Sequence, residues 1–95
     1  MLYMFTAKDA PNSAEKRAEL RVVHRARLIE LSNQDRLAIA GPLYSDENQE
    51  VIEGSLIIAE FDSIEQAKNW IDRDPYTENH VYATIDIKPF KQILP

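Results

Sequence analysis

The sequence predicts an α+β fold of the ferredoxin-like type: a four-stranded antiparallel sheet with two helices on one face. Strand-like and helix-like patterns follow one another in the order β-α-β-β-α-β along the chain. The length of 95 residues suits one hydrophobic core, so residues 1–95 are expected to form a single domain. The apolar share of 44% and the charged share of 28% are typical of a globular chain.

The first strand and the first helix carry clear local signals. Residues 2–7, LYMFTA, are rich in aromatic and β-prone side chains, which predicts a strand. The longest helical pattern follows over residues 14–34. Asn12, three residues before Glu15, resembles the start of a capping box, and Ser13 is the alternative cap.

The first helix gathers most of its apolar side chains on one side, which is expected to pack. That side consists of Ala14, Ala18, Val22, Ala26 and Ile29, and an adjacent flank continues it with Leu20, Leu28 and Leu31. His24 lies on this flank, four residues after Leu20 and four before Leu28. Arg17 and Arg21 lie on the same flank. An imidazole beside two guanidinium groups, on a face that should pack, is the strongest chemical lead in the sequence.

Two further strands are predicted in the middle of the chain. Residues 37–44, LAIAGPLY, form a continuous apolar run that predicts a buried strand ending in a turn at its Gly-Pro dipeptide. The acidic stretch 45–53 is predicted to be a solvated loop. Gly54 then opens the third strand, residues 55–61.

A second helix is predicted between the third strand and the last one. Ser63 with Gln66 fits a capping box, and the apolar stripe that follows contains Ile64, Ala67, Trp70 and Ile71. Pro75 disfavours helical geometry at Asp74, so the helix is expected to end there. A short turn should follow, with Asp74 as its cap.

The last strand shows a regular alternation, and the predicted sheet is largely apolar on both faces. Residues 81–90 alternate, so Val81 and Ala83 are expected to face one way and Tyr82 the other. The first three strands are apolar on both faces, although helices can cover only one of them. We therefore expect a second copy to cover the other face, giving a homodimer through the sheet faces.

Charge and composition limit the partners. The net charge of −5 argues against a nucleic-acid partner. The first helix carries a local basic cluster of Lys16, Arg17, Arg21, Arg25 and Arg27. Such a cluster suits a small anionic ligand. The alternative is a solvated helix face whose basic side chains pair with nearby glutamates.

Cofactors, metals and membranes are not expected. The absence of cysteine excludes thiolate metal sites, and two histidines do not suffice for a histidine-rich one. No phosphate-binding glycine loop, HExxH motif or dinucleotide fingerprint occurs, so no cofactor is predicted. Neither a signal-peptide pattern nor an apolar run of membrane-spanning length is present, so a cytoplasmic location is expected.

His24 has two interpretations. It is either a general acid/base or a half-buried, hydrogen-bonded helix histidine, and composition alone favours the second. A base of this kind needs an orienting carboxylate, for which Asp74 is a candidate. Asp74 is alternatively only a helix cap, and the two roles are compatible if one oxygen caps while the other meets the ring. Ser55 is either a hydroxyl donor to a ligand or an ordinary strand-start serine.

Six short motifs occur in order along nearly the whole chain: Arg17-x3-Arg21-x2-His24, Ala40-Gly41-Pro42, Gly54-Ser55, Ile58-Ala59-Glu60-Phe61, Asp74-Pro75-Tyr76 and Lys88-Pro89-Phe90. Together they resemble the YciI (YCII-related) family. The resemblance implies a dimeric α+β barrel, cytoplasmic and cofactor-free, with His24 and Asp74 paired in a cleft. One related branch is a dehydrochlorinase of a chlorinated hydroxyhydroquinone that uses a His-Asp pair. The acidic loop 45–53 departs from the family pattern.

The sequence thus favours a small cofactor-independent enzyme with lyase-, isomerase- or hydrolase-like chemistry on a small polar or anionic molecule. His24 would move a proton, Asp74 would orient it, and Arg17 with Arg21 would hold an anionic group. The alternative is a non-catalytic dimer that binds a metabolite or regulates through the same pocket. A third possibility is an assembly partner whose pocket no longer acts.

Overall fold

The computed structural model describes all 95 residues and confirms the predicted βαββαβ order. The elements are β1 (Leu2–Asp9), α1 (Ala14–Asn33), β2 (Leu37–Tyr44), β3 (Ile52–Glu60), α2 (Ile64–Asp72), α3 (Pro75–Glu78) and β4 (Tyr82–Phe90). The four strands form one antiparallel sheet in the order β2-β3-β1-β4. The predicted short turn after the second helix is the single-turn helix α3.

The core lies between one face of the sheet and the helices. Alternation along the strands sends one set of side chains to the helices, where they are buried; from β1 and β3 these are Tyr3, Phe5, Ala7, Ile57 and Ala59. Leu31, Ala67 and Ile71 pack on them from α1 and α2. The opposite face, called here the open face, carries the half-buried side chains of Leu2, Met4, Leu56 and Ile58.

Helix α1 packs through the flank that carries His24 and Leu31, as predicted, but its alanine-rich side does not pack. Its buried residues are Arg17, His24 and Leu31, which are spaced by seven residues and so lie on one side. Val22 is 80% exposed and Ile29 is 57% exposed, so the expectation that the alanine-rich apolar side packs was wrong. The polar side chains can be buried because each has charged or hydrogen-bonding partners from other elements.

The two long helices begin differently. Ser13 stands at the cap position of α1, but its Oγ donates to the Ala10 carbonyl at 2.7 Å and accepts nothing from the helix. Asn12 has a left-handed backbone with φ of 59°, so the capping box predicted from it was wrong. At α2 the predicted Ser63 cap is confirmed, because the Gln66 N–H donates to Ser63 Oγ at 3.2 Å, although the Gln66 side chain makes no return bond to complete a capping box.

Strand β2 is an edge strand, so its prediction as a buried strand was wrong. It continues through Gly41 and Pro42 to Tyr44 without ending in a turn; a proline suits an edge because it lacks an N–H. Ile39 is 55% exposed on the open face. Because Tyr44 pairs with Ile52, β3 starts within the stretch that was predicted to be a loop.

Strand β4 contains one extra residue near its start. Lys8 of β1 pairs with Thr84, but the next residue, Asp9, pairs with Tyr82, so Ala83 is left over as a β-bulge. The bulge reverses the alternation, so Tyr82, expected from strict alternation to lie on the face opposite Ile85 and Ile87, shares the helix face with them and is buried at 6% exposure. That expectation was wrong because periodicity does not reveal an extra residue.

Candidate active site

A cleft of about 410 Å³ lies between α1 and the β2–β3 edge of the sheet. Its polar lining includes four of the residues that the sequence singled out, namely Arg17, Arg21, His24 and Ser55. Leu28 from α1 and Ala40 and Pro42 from β2 supply apolar wall. Alternation along β2 and β3 aims Pro42 and its pairing partner Ser55 at the helices, which is why both reach the cleft.

His24 and Asp74 lie in contact. His24 Nδ1 is 2.8 Å from Asp74 Oδ1, and both side chains are buried, at 7% and 0% exposure. A carboxylate only accepts, so Nδ1 carries the proton and, in the neutral ring, Nε2 carries the lone pair. Nε2 has no protein partner, and the structure holds no buried side-chain N or O atom without one. Nε2 is therefore open to the cleft.

Asp74 combines the two roles that the sequence offered for it. Its Oδ1 accepts from the Tyr76 N–H at 2.9 Å, capping α3, as well as from His24. The expected division between the two oxygens was wrong, since Oδ2 instead accepts from Arg27 Nη1 at 3.3 Å. Arg27 also donates to the Trp70 carbonyl at 2.8 Å, which ties α1 to α2 beside the dyad.

Tyr76 fixes the plane of the imidazole. Its ring stacks on His24 with centroids 4.0 Å apart and an angle of 15°. The Tyr76 hydroxyl donates to the Arg17 carbonyl at 3.2 Å, which anchors the ring to α1. Burial raises the pKa of Tyr76, although the charges of Arg17 and Arg21 oppose this. Tyr76 is therefore a neutral wall of the cleft.

Arg17 is held by an acid that the sequence analysis did not single out. Its Nε donates to Asp9 Oδ2 at 2.8 Å, with the two side chains 8% and 6% exposed. Burial works against the charge of Arg17, but the hydrogen bond and the charge of Asp9 outweigh it and raise its pKa. Nη2 donates to the Gly54 carbonyl at 3.1 Å and to Ser55 Oγ at 2.6 Å.

Gly54 makes this arrangement possible. A side chain at this position would run into the carbonyl oxygen of Ala7 on the neighbouring strand, so only glycine lets β3 lie so close to β1 here. The close approach places the Gly54 carbonyl and Ser55 under the guanidinium of Arg17.

Tyr82 is the second site residue that the sequence did not reveal. Its hydroxyl donates to Ser55 Oγ at 2.8 Å. Burial raises the pKa of Tyr82 far above its ordinary value of 10.0, so the phenol stays protonated. No sequence signal marks Tyr82, because the bulge that turns it inward leaves no trace in the pattern. Asp9 likewise reads as one more charged residue at a strand end.

Arg21 and Arg25 stand at the mouth of the cleft, one turn apart on α1. Both are exposed, and neither lies within 4.0 Å of a carboxylate. They are therefore the unpaired cations of the cleft, whereas Arg17 is largely engaged by the protein. His80, predicted to be solvated, is exposed and lies outside the cleft.

Comparison with known proteins decides the family. The model of the YCII-related domain matches residues 1–91. The chain belongs to the YCII-related family. An uncharacterised Haemophilus influenzae relative is 43% identical over 97 residues, with 98% of this chain and 99% of that protein covered. Escherichia coli Protein YciI is 42% identical over 97 residues, with the same coverage.

A solved structure shares the fold of this YCII-related chain. It is the 5-chloro-2-hydroxyhydroquinone dehydrochlorinase from Burkholderia phenoliruptrix, in complex with 2,5-dihydroxybenzoquinone. The TM-score is 0.84 at 24% identity, with 96% of this chain and 94% of that chain covered. The fold and the family predicted from the sequence are thereby confirmed. No group of three or more His, Asp or Glu side chains is placed to hold a metal ion. None of the helices combines the length and the apolar character that a membrane span requires.

Proposed function

We propose that this YCII-related protein is a cofactor-independent enzyme in which His24 moves a proton on a small polar or anionic molecule. The observation that carries the proposal is the pairing of Nδ1 with a fully buried carboxylate while Nε2 opens to the cleft. The chemistry is lyase-, isomerase- or hydrolase-like, because each class can proceed by proton transfer from a side chain alone.

The surroundings of His24 suit a general base. When Nε2 takes a proton, the positive charge forms 2.8 Å from Asp74, which stabilises the imidazolium and keeps the ring in one tautomer. The stacked Tyr76 prevents the ring from turning, so Nε2 keeps its direction into the cleft. A positioned base of this kind contributes about 10²–10⁴-fold to a rate.

The lining of the cleft indicates the ligand. Arg21 and Arg25 offer unpaired positive charge at the mouth, and Leu28, Ala40 and Pro42 offer an apolar wall. A small molecule with an apolar or planar body and an anionic group matches both. The dihydroxybenzoquinone in the structurally similar dehydrochlorinase is a molecule of this shape, which makes hydroxyquinones and hydroxyhydroquinones sensible first compounds to test.

The experiment is a turnover screen of small carboxylates, hydroxyquinones and hydroxyhydroquinones, 5-chloro-2-hydroxyhydroquinone among them, read out by mass spectrometry. We expect the protein to consume at least one compound and His24→Ala to lose about 10²-fold or more of that rate. His80→Ala is the matched control, because it removes an exposed histidine outside the cleft. Full activity in His24→Ala would exclude the mechanism. Saturable binding without consumption of any compound would indicate the metabolite-binding alternative.

We also propose that the protein acts as a cytoplasmic homodimer joined through the open faces of its sheets. Leu2, Met4, Leu56 and Ile58 form an apolar surface there that no element of the chain covers. Sedimentation should give the mass of two chains, and Ile58→Lys should reduce it to one. A mass of one chain for the unaltered protein at micromolar concentration would rule the dimer out.

A further inference from the structure

The hydrogen bonds at the base of the cleft leave one proton without an acceptor. Ser55 and Tyr82 bring two hydroxyl protons, and one of them lies between their oxygens, which are 2.8 Å apart. Arg17 Nη2 occupies a further position on Ser55 Oγ at 2.6 Å, and it can only donate. The second hydroxyl proton therefore has no protein acceptor, whichever oxygen carries it. Ser55 lines the cleft and Tyr82 does not, so the free proton belongs on Ser55.

A second free donor lies beside it. Arg17 uses Nε and Nη2 on Asp9, Gly54 and Ser55, while its Nη1 has no protein partner. Because no buried side-chain nitrogen lacks a partner, Nη1 reaches solvent, and Arg17 lines the cleft. Two donors without protein acceptors, on adjacent groups that line the cleft, favour an oxygen atom of a ligand.

We propose that the Ser55 hydroxyl and Arg17 Nη1 form a two-donor site for one oxygen of the substrate, which is a small carbonyl compound that reacts through its enolate or phenolate-like anion. The inference rests on the proposed function of His24 and assigns the substrate class. His24 Nε2 takes a proton from the carbon next to the carbonyl, and the C–H electron pair becomes the C=C bond of the enolate. The negative charge moves to the oxygen, where the two donors stabilise it, and the proton returns to another atom of the same molecule.

The groups behind the two donors strengthen them. Asp9 fixes the guanidinium, and Arg17 and Tyr82 both bond to Ser55 Oγ, which withdraws electron density from it and polarises its remaining O–H. Ser55 is 5% exposed and Arg17 is 7% exposed, so the donors are held in place before any ligand arrives. Fixed donors in a poorly hydrated site stabilise a developing oxyanion more than water does.

The test uses 4-nitrophenol, whose anion carries the same kind of charged oxygen and absorbs visible light. Titration of the protein should show saturable binding of the anion and a lowered pKa of the bound phenol. Ser55→Ala should weaken binding of the anion by about tenfold or more, the factor expected for a lost hydrogen bond to a charged oxygen. Ser45→Ala, an exposed loop serine without a side-chain hydrogen bond, should leave binding unchanged.

Two variants keep the outcome clear. Ser55→Ala leaves the Tyr82 hydroxyl without an acceptor, which could disturb folding. The double variant Ser55→Ala/Tyr82→Phe removes both hydroxyl groups and avoids this defect. It must show the same loss of affinity for the anion. Absence of saturable binding at millimolar concentrations, preference for the neutral phenol, or unchanged affinity in both variants would each overturn the proposal. Binding of 4-nitrophenolate does not require turnover. If the binding of 4-nitrophenolate does not depend on Ser55 while His24→Ala still abolishes turnover, the two-donor site is wrong and the proposed function of His24 stands.

Discussion

The two sides of α1 reverse the usual relation between polarity and burial. Its inner side, defined by Arg17, His24 and Leu31, is buried although two of its three residues are ionisable. Its outer side, defined by Ala14, Ala18, Val22, Ala26 and Ile29, is exposed although every member is apolar. The inner residues meet partners on β1, on β3 and at the cap of α3, whereas the outer side is exposed along its length. Burial on this helix follows partners, not hydropathy.

Removing the Arg17 side chain should produce the largest effect. Arg17→Met leaves the Asp9 carboxylate, which is 6% exposed, without its counter-charge, so we expect a loss of about 3–5 kcal/mol of unfolding free energy. Urea unfolding measures it. Arg21→Met, one turn later and exposed, is the matched control and should change stability little. Equal losses of unfolding free energy in the two variants would show that the buried partner of Arg17 adds nothing to stability.

Asp74→Ala should come next, at about 2–3 kcal/mol. The substitution removes the cap of α3 and leaves His24 Nδ1 and the Tyr76 N–H without an acceptor in a fully buried position. Asp72→Ala, which removes a carboxylate that is 51% exposed and bonded only to Lys68, should cost less than about 0.5 kcal/mol by the same urea measurement. A small loss for Asp74→Ala would mean that water replaces these bonds.

Alkaline pH should lower the free energy of unfolding through Tyr82, the buried phenol of β4 that bonds to Ser55 behind the inner side of α1. Its pKa is raised in the folded state by burial, so the folded protein keeps a proton that the unfolded chain releases above about pH 10. The stability present below that pH is therefore lost as pH rises, at up to about 1.4 kcal/mol per pH unit. Urea unfolding between about pH 9 and pH 11 measures the slope. Tyr82→Phe should reduce the slope and leave the part that Tyr76, whose pKa is also raised by burial, contributes. An unchanged slope in that variant would show that Tyr82 does not cause the loss.

Changes on the outer side of α1 should produce the smallest effect. Val22→Ala and Ile29→Ala remove methyl groups from side chains that are 80% and 57% exposed, so each should change the unfolding free energy by less than about 0.5 kcal/mol. Leu31→Ala, on the inner side of the same helix, should cost about 2–5 kcal/mol. A loss above about 1 kcal/mol for either outer variant would show that this side is covered in solution.

Local signals were enough to predict the order of the elements, the Ser63 cap and the Asp74 cap, since each depends on residues within a few positions. Local signals could not predict contacts between residues that lie far apart in the sequence. Arg27 meets Asp74 across 47 positions, and Arg17 meets Ser55 across 38, so no spacing rule joins them. Without these partners the sequence could not show that α1 buries the flank of Arg17 and His24 and leaves its alanine-rich side exposed, because hydropathy alone places arginine and histidine in water.

The extra residue in β4 makes Tyr82 and Ala83 alternative occupants of one position. A regular strand of the same sequence would pair Ala83 with Asp9 and set a methyl group behind Ser55 in place of a phenol. Substitution is therefore not the only way in which this site can change over evolution. Deletion of Tyr82 would leave Ala83 opposite Asp9 and set its methyl group behind Ser55, whereas deletion of Ala83 would remove the bulge and keep the phenol there. In both cases His24 and Asp74, on other elements, stay where they are.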